Sequence, residues 1–447
     1  MSTQAATLPR WDVTAVYPDL DSPEFRADFE ALGVAVDAFA AELARRQSDQ
    51  SARRTGKEGT AEAFEALITR LNALLEQVTT ITAYIHAFVS VNSRDDLAQA
   101  KLSLMHNLLA RLKQAYTRFT AWVGILDEKA LIASSAVAAA HSFFVAQSQV
   151  YSRHLMSPAE EELAAALAPS SSAAWENLHS SLTSQLLVRV AGEQYRDGLP
   201  LSVVRNRATD PDRDVRKLAY EGELRALSVV APAAAAALNG LKGRELVLAE
   251  RRGWGSPLDA ALFTAHIERR TLDALMEAAH ASLPDFHRYL RTKARALGVP
   301  ALAWYDLLAP VGESTRAWDY AEGTEFITEQ FATFSPRLSG LARRAFRENW
   351  IDAEPREGKQ GGAFCMSLRG EESRILANFN PSFDGVSTLA HELGHAYHNF
   401  CLAGRTPLQR DTPMTLAETA SIFCETIIYH AGLRQADAGE RLLLLEG

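Results

Sequence analysis

The sequence predicts a mainly α-helical protein with a small β-hairpin, and three observations support this fold class. Apolar residues recur at three- and four-residue steps, as in Phe29, Leu32 and Val36, which is the pattern of a helix with one buried face. Glycine and proline are nearly absent between positions 61 and 149, which favours long helices packed as a bundle. Near residue 355 the chain changes to a glycine-rich loop followed by two β-prone segments.

Composition excludes several classes of protein. The chain has 447 residues, of which 47% are hydrophobic and 23% charged, and this length corresponds to about three domain-sized units. Disordered chains, collagen-like repeats and disulfide-rich scaffolds have different compositions. The formal net charge of −9 disfavours binding to the phosphate backbone, so no nucleic-acid partner is expected.

The cysteine count and the N-terminal sequence indicate in which cellular compartment the protein is expected. The chain has three cysteines, Cys365, Cys401 and Cys424. A disulfide framework would need more cysteines and an even number of them. The first residues lack a cationic start followed by an apolar run, and the alanine-rich run at 229–238 is short and contains Pro232. We therefore expect a cytoplasmic protein with no membrane partner.

Two domains are predicted, with the boundary near residues 195–210. Residues 1–200 form an N-terminal helical domain, and residues 201–447 form a second domain in which helical patterning restarts at Asp212. A β-prone segment at 185–190 followed by Asp197-Gly198 predicts a short hairpin before that restart. Later helices are expected at 227–251, 272–297 and 322–349.

A second hairpin is predicted after the glycine-rich loop. Residues 363–368 and 374–380 are strand-like, and residues 369–373 supply the turn between them. Pro381 ends the second strand. A helical run follows, for which Asp384 is the expected N-cap.

This helical run carries the strongest chemical signal, a His-Glu-x-x-His motif. His391 and His395 are four residues apart, so on a helix both imidazoles can reach one metal ion at ~2.0–2.1 Å. Glu392 lies between them and is positioned to take a proton from a water molecule at the metal. An accidental match on an amphipathic helix is the alternative. Buried histidines and a buried glutamate would nevertheless need polar partners.

A third ligand is expected on the next strong helical segment. Glu418 follows the second histidine after a stretch with turn residues, and we assign it as that ligand. Glu425 is either an acceptor for a ligand histidine N–H or a solvated helix charge. His398 continues the face of His391 and His395; it either orients the site or substrate, or is a satisfied buried histidine.

The chain resembles the M3 family of metallopeptidases, in the oligoendopeptidase F group, with thimet oligopeptidase as a more distant relative. The resemblance is strongest in Gly361-Gly362-Ala363-Phe364-Cys365, in Ile375-Leu376-Ala377-Asn378-Phe379, and in the run from Ser387 to His398. Weaker matches are Trp11-Asp12, Tyr17-Pro18-Asp19-Leu20, Ser256-Pro257-Leu258-Asp259 and Tyr305-Asp306-Leu307.

This resemblance implies a fold, a cofactor and an activity. The family fold is a mostly helical, two-lobed peptidase with a deep channel that admits short peptides. Carried over to this chain, one zinc ion is bound by His391, His395 and Glu418, and Glu392 is the general base. Residues 201–447 would then be the zinc peptidase catalytic domain, incomplete at its C-terminus. One strand of the 363–380 hairpin would pair with the peptide substrate, unless the hairpin is plain sheet structure. Ala363, Phe364 and Tyr397 join His398 and Glu425 as candidates for binding substrate or supporting the ligands.

The sequence departs from the family pattern after Glu425. Family members supply a histidine and tyrosines from a later Gly-Tyr segment, which helps to stabilise the oxyanion, and no such segment follows Glu425 here. The sequence is therefore expected to be an incomplete version of a longer protein. The alternative to an oligopeptide-cleaving enzyme is a zinc-bound peptide-binding protein with weak or no activity, because removing one oxyanion donor costs ~10²–10³ in rate.

Overall fold

The computed structural model describes residues 8–48, 58–192, 197–312 and 318–446. Within them the first half of the chain forms helices α1 (Pro23–Ser48), α2 (Glu58–Val91), α3 (Asp96–Val123), α4 (Glu128–Ser134), α5 (Ala136–Ala140), α6 (Ser142–Ser152), α7 (Pro158–Leu167), α8 (Ser172–Ser184), α9 (Leu201–Arg205) and α10 (Arg213–Arg251). The second half forms α11 (Pro257–Ala265), α12 (Arg269–Ala296), α13 (Tyr320–Phe334), α14 (Pro336–Arg347), α15 (Phe383–Leu402), α16 (Pro407–Arg410), α17 (Met414–Ala417), α18 (Thr419–Gln435) and α19 (Ala438–Glu446). The mainly α prediction is confirmed.

Two small sheets interrupt the helices. Strands β1 (Leu187–Val188) and β2 (Leu199–Pro200) pair antiparallel, which confirms the predicted short hairpin. The second sheet has the order β3-β5-β4, formed by β3 (Ile351–Asp352), β4 (Phe364–Arg369) and β5 (Glu372–Leu376). Because β4 pairs only with β5 among the described strands, its other edge has no strand partner.

The N-terminal helices bury one large core. Aromatic and aliphatic side chains of α1, α2 and α3 meet there, and Phe25, Phe39, Phe64 and Phe119 are fully buried. Asp95 caps α3 by accepting a hydrogen bond from the Ala98 backbone N–H. Burying a side chain of this size stabilises the fold by ~1.5–3 kcal/mol, so the long helices derive most of their stability from packing.

A second core surrounds α15. It contains the buried face of that helix together with side chains of α13, α14, α18 and the β3-β5-β4 sheet, including Trp350, Ile375, Leu389 and Ile428. The chain start is tied to this core, because Ala353 N donates to the carbonyl of Pro9 and Arg374 Nε donates to the carbonyl of Asp12. The β4 strand lies between the two cores: Met366 packs against the first and Cys365 against the second.

The longest helix, α10, differs from our expectation that the chain has no membrane-spanning segment. By length and composition this helix could cross a membrane. Only 6% of its most apolar window is buried, and Pro232 lies inside the helix. One helix of this kind is weak evidence for a membrane span.

Three local predictions need correction. The second strand of the 363–380 hairpin ends at Leu376, not at 380. Beyond it the backbone bonds to the end of β3 and the residue that follows: Ala377 N donates to the carbonyl of Asp352, and Phe379 N donates to that of Ala353. The predicted helix at 322–349 is divided into α13 and α14, because Ser335 ends the first and caps the second. Strand β3 was not predicted. The N-cap of α15 is Ser382, whose hydroxyl accepts from Gly385 N, and Asp384 lies in the first helical turn.

Candidate metal centre

Helix α15 lies at the edge of the second core, with one face buried and the motif histidines on the other face. Val386, Leu389 and Leu393 are buried in the second core and fix the rotation of the helix. His391 and His395 consequently lie on the opposite, half-buried side. The ring centroids of the two histidines are 5.0 Å apart, as expected for residues one helical turn apart.

A glycine in the motif allows the next helix to approach α15 closely. A Cβ atom added at Gly394 would lie 2.6 Å from the carbonyl oxygen of Ala420 and 2.6 Å from the Cα of Ser421. Real Cβ atoms do not come this near to backbone atoms. The absence of a side chain at position 394 therefore permits the start of α18 to pack against the histidine helix.

This packing brings the predicted third ligand to the two histidines. Glu418, at the junction of α17 and α18, places Oε2 at 3.1 Å from His391 Nε2 and 3.2 Å from His395 Nε2. One ligand atom from each of the three residues lies within 4.8 Å of the other two. The structure thus brings together all three residues predicted to bind metal.

Two further side chains hold this arrangement in place. The buried Ser421 donates a hydrogen bond of 2.7 Å from its hydroxyl to Glu418 Oε2. Glu425 Oε2 lies 3.1 Å from His391 Nδ1, so the ring can donate there and keep Nε2 free for a metal ion. Of the two alternatives for Glu425, the geometry supports the acceptor. Ser421 was missed, although a serine three residues after a candidate ligand on a helix is a usable signal.

The charge states of the cluster suit metal binding. The hydrogen bond from Ser421 lowers the pKa of Glu418, with the neighbouring histidines adding to the effect. Burial lowers the pKa of His395, which favours the neutral imidazole that binds metal ions, while Glu418 opposes this shift. At neutral pH the cluster therefore offers a carboxylate and a neutral ring.

The motif glutamate is buried on the same helix as the two histidines. Glu392 is only 5% exposed, and its Oε2 is buried without a hydrogen-bond partner among the described residues. Burial raises the pKa of Glu392 to about 7, with Glu418 adding to the shift and His391 opposing it. A buried carboxylate with an unused oxygen costs stability, which is typical of a group retained for chemistry.

The donor set fits a zinc ion. Zinc binds imidazole nitrogen and carboxylate oxygen at ~2.0–2.2 Å, which places neighbouring donor atoms of a tetrahedral site about 3.3 Å apart. The His–Glu distances of 3.1 and 3.2 Å agree with this spacing. Glu418 is half exposed, so the cluster is open on one side, as catalytic zinc sites are.

The other candidate residues lie outside the cluster of His391, His395 and Glu418. His398 and Tyr397 are half-buried, and the Tyr397 ring stacks on Phe400 at 6.1 Å. The ring of Phe364 contacts Trp11 and His86, so it points toward the N-terminal core. Ala363 immediately precedes β4 and lines a cavity. Their roles in binding substrate stay predictions.

Two cavities lie at the two ends of β4 and α15. A cavity of about 650 Å³ is lined by residues before β4, such as Gly362 and Ala363, and by Thr388 near the start of α15. A cavity of about 510 Å³ is lined by Ser367 of β4 and by Asn399 and Leu402 near the end of α15. The histidines lie between these two regions along the helix.

Sequence comparisons relate the chain to known peptidases. The family profile described as "Peptidase family M3" matches residues 207–440, just over half of the chain. An oligoendopeptidase F homolog of Lactococcus lactis subsp. lactis is 33% identical over 199 residues, which is 44% of this chain and 33% of the relative. Group B oligopeptidase PepB of Streptococcus agalactiae is 27% identical over 63% of this chain and 47% of its own length. The matched part thus spans about a third to a half of these relatives.

Solved structures share the fold. Oligoendopeptidase F from Enterococcus faecium superposes with a TM-score of 0.64 at 18% identity, covering 93% of this chain and 68% of that structure. PZ peptidase A gives a TM-score of 0.73 at 14% identity, covering 93% of this chain and 70% of that structure. From the profile match, together with this shared fold, the chain belongs to peptidase family M3.

Proposed function

We propose that this protein is a zinc-dependent endopeptidase that hydrolyses internal bonds of short oligopeptides. The observation that carries the proposal is the convergence of His391 Nε2, His395 Nε2 and Glu418 Oε2, with the buried carboxylate of Glu392 on the same helix. Family membership and the names of the relatives, which are oligopeptidases, support the same reaction class.

Each of these residues would have a separate role in peptide-bond hydrolysis. A bound zinc ion would polarise the scissile carbonyl and increase the acidity of the attacking water. Glu392 accepts the proton of that water and passes it to the leaving amine; a pKa of about 7 suits both directions of transfer. Glu425 keeps His391 oriented, and Ser421 keeps Glu418 oriented.

The sheet offers a binding mode that does not depend on side chains. The unpaired edge of β4 presents backbone N–H and C=O groups, to which an extended peptide can add as a further strand. Helix α15 packs beside β4 and β5, so a peptide on this edge would pass near the histidine helix. Short peptides of varied sequence are accordingly the proposed substrates.

We place the protein in the cytoplasm as part of the same proposal. Its three cysteines are free and none is paired with another, as expected in a reducing compartment. The apolar face of α10 is the feature that would argue for a membrane partner.

The experiment measures cleavage of an internally quenched fluorescent peptide of about eight residues by zinc-loaded protein, with and without a chelator. Chelation is expected to abolish cleavage, and zinc is expected to restore it. Glu392→Gln is expected to reduce kcat by ~10²–10⁴ while zinc content stays stoichiometric, because only proton transfer is removed. Glu329→Gln, an exposed glutamate on α13, is the matched control and should cleave normally.

Two outcomes contradict the proposal. Full activity of Glu392→Gln would exclude the role given to that residue. Zinc-loaded wild-type protein that binds the peptide without cleaving it would identify a peptide-binding protein instead.

A further inference from the structure

The cavity of about 510 Å³ lies where the N-terminal helices meet the end of the histidine helix. Thr79 of α2 and Lys113 and Tyr116 of α3 form one wall, while Asn399 and Leu402 of α15 form the opposite wall. None of these residues belongs to the candidate metal centre. The cavity is therefore a separate site whose walls come from both cores.

Its position places it on the path of a peptide bound at β4. Asn399 and Leu402 follow His395 by four and seven residues, which corresponds to about 6 and 10 Å along the helix. Ser367, which also lines the cavity, lies on β4 two residues beyond Cys365. Because an extended peptide advances about 3.3 Å per residue, the cavity lies about two to four residues from the reacting bond.

Lys113 is a cation without a partner in this cavity. Among the described residues, no carboxylate lies within ion-pair distance of its ammonium group, and its side chain is exposed to the cavity. The nearby carboxylate of Glu161 is already engaged by Arg252, at 3.0 and 2.8 Å. Burial lowers the pKa of Lys113, and Arg252 adds to the shift. Because Glu161 pairs with Arg252, the ammonium group of Lys113 has no ion-pair partner among the described residues.

The other polar groups of the cavity wall do not form ion pairs with Lys113. Arg410 is paired with Glu76, at 3.2 and 3.0 Å, and so presents no free charge. Asp411 lines the cavity but lies beyond ion-pair distance of Lys113. Tyr116 lies beside the ammonium group, with Lys113 Nζ at 5.7 Å from the ring centroid.

We propose that this cavity is a specificity subsite in which Lys113 binds a carboxylate of the peptide, about two to four residues from the cleaved bond. This carboxylate belongs either to an Asp or Glu side chain or to the C-terminus of the peptide. The inference rests on the proposed function, and it adds a preference for acidic peptides to it.

The first test varies the substrate and leaves the protein unchanged. A quenched peptide is compared with versions that carry Asp or Asn at the second, third and fourth positions on each side of the cleaved bond, and with free or amidated C-termini. We expect one position, or the free C-terminus, to raise kcat/KM about tenfold over its neutral counterpart, which is the effect of one hydrogen bond between charged groups. The position that responds identifies the source of the carboxylate.

The second test assigns the preference to Lys113. In Lys113→Met the ratio of kcat/KM for the acidic and neutral peptides should fall toward 1, whereas Lys113→Arg should retain part of it. Lys129→Met, an exposed lysine on α4, is the matched control and should keep the wild-type ratio. Asp411→Asn should increase the ratio, because it removes from the cavity wall a negative charge that repels an acidic peptide.

A binding measurement separates failure of this subsite from failure of the proposed function. Fluorescence anisotropy with labelled acidic and neutral peptides is carried out on Glu392→Gln, with and without Lys113→Met. Weaker binding of the acidic peptide in the double variant supports the subsite even if the wild-type protein cleaves nothing. Equal affinity for both peptides, or a preference that survives Lys113→Met, overturns it.

Discussion

Two side chains outside the proposed ligand set form hydrogen bonds with the residues that would bind zinc. Ser421 Oγ donates to Glu418 Oε2, and Glu425 accepts from the ring of His391. Removing either contact leaves the metal-binding atoms present but less well oriented. The cluster should therefore keep its selectivity for zinc and lose affinity.

We expect Ser421→Ala and Glu425→Gln each to weaken zinc binding by ~10–100-fold, the usual effect of removing an outer hydrogen bond to a metal ligand. Competition titration with a chromophoric chelator measures this change. Thr426→Ala is the matched control, because its exposed hydroxyl bonds only to the carbonyl of Ile422 in its own helix. Wild-type zinc affinity in both variants would show that these contacts do not orient the ligands.

The individual site residues differ in how far the sequence could predict them. His391 and His395 follow from helical periodicity alone, because the spacing fixes their shared face. Ser421 follows Glu418 by only three residues and carries a local signal, whereas Lys113 could not be predicted, since its position in the cavity depends on helix packing. The pairing of Glu161 with Arg252, which leaves Lys113 uncompensated, spans 91 residues of sequence.

At the level of elements, the contact between α15 and α18 decides whether the site forms. Gly394→Ala would place a methyl group 2.6 Å from backbone atoms of Ala420 and Ser421, so the helices must separate. We expect a loss of ~1–3 kcal/mol in the free energy of unfolding, together with weaker zinc binding. Chemical denaturation and the same chelator titration measure the two effects.

Gly340→Ala in α14 is the matched control, because nothing lies within 4 Å of its added Cβ. Alanine is favoured over glycine inside helices, so this control should be neutral or slightly stabilising. A Gly394→Ala variant with the same stability and zinc affinity as the control would contradict the role of close helix packing.

A buried lysine anchors the glycine-rich loop that leads into β4. Lys359 Nζ lies 2.6 Å from Asp352 Oδ1 and donates to the carbonyls of Glu354 and Ala377. Burial lowers the pKa of Lys359 to about 8, although Asp352 opposes this shift. The folded protein therefore binds fewer protons than the unfolded chain between about pH 8 and the ordinary lysine pKa of 10.5.

This difference in proton binding makes the stability of the protein depend on pH. Since the unfolded state binds more protons in that window, the Lys359 contribution to stability rises with pH from about 8 to 10.5 and is lost as pH falls through 8. The urea midpoint of wild type relative to Lys359→Met should increase between pH 7.5 and pH 10. A relative midpoint that stays constant or falls would mean that the pKa of Lys359 is not lowered.

Element types were predicted better than element ends. The hairpin signals near 187 and 364 were confirmed, because turn residues and β-prone runs are local features. The end of β5 and the existence of β3 were not predictable, since both depend on a parallel pairing of Ile351 with Ile375. The capping role of Ser382 was also missed, because Asp384 is an equally good cap by composition.

At the level of the whole molecule, two cores face one another across β4. The N-terminal core and the core around α15 each contain many fully buried aromatic and aliphatic residues. The predicted boundary at residue 200 lies between them in sequence, and it stays a prediction. The proposed metal centre and the proposed carboxylate subsite both lie along this junction, so both need the two cores to be correctly packed.

The proposed metal centre requires one zinc ion held by His391, His395 and Glu418. It can be tested with a crystal of the zinc-loaded protein and anomalous diffraction collected above and below the zinc edge. We expect a single strong peak per chain, about 2.0–2.2 Å from His391 Nε2, His395 Nε2 and a Glu418 oxygen. A peak elsewhere, or a Glu418 side chain turned away from the peak and beyond bonding distance, would contradict it.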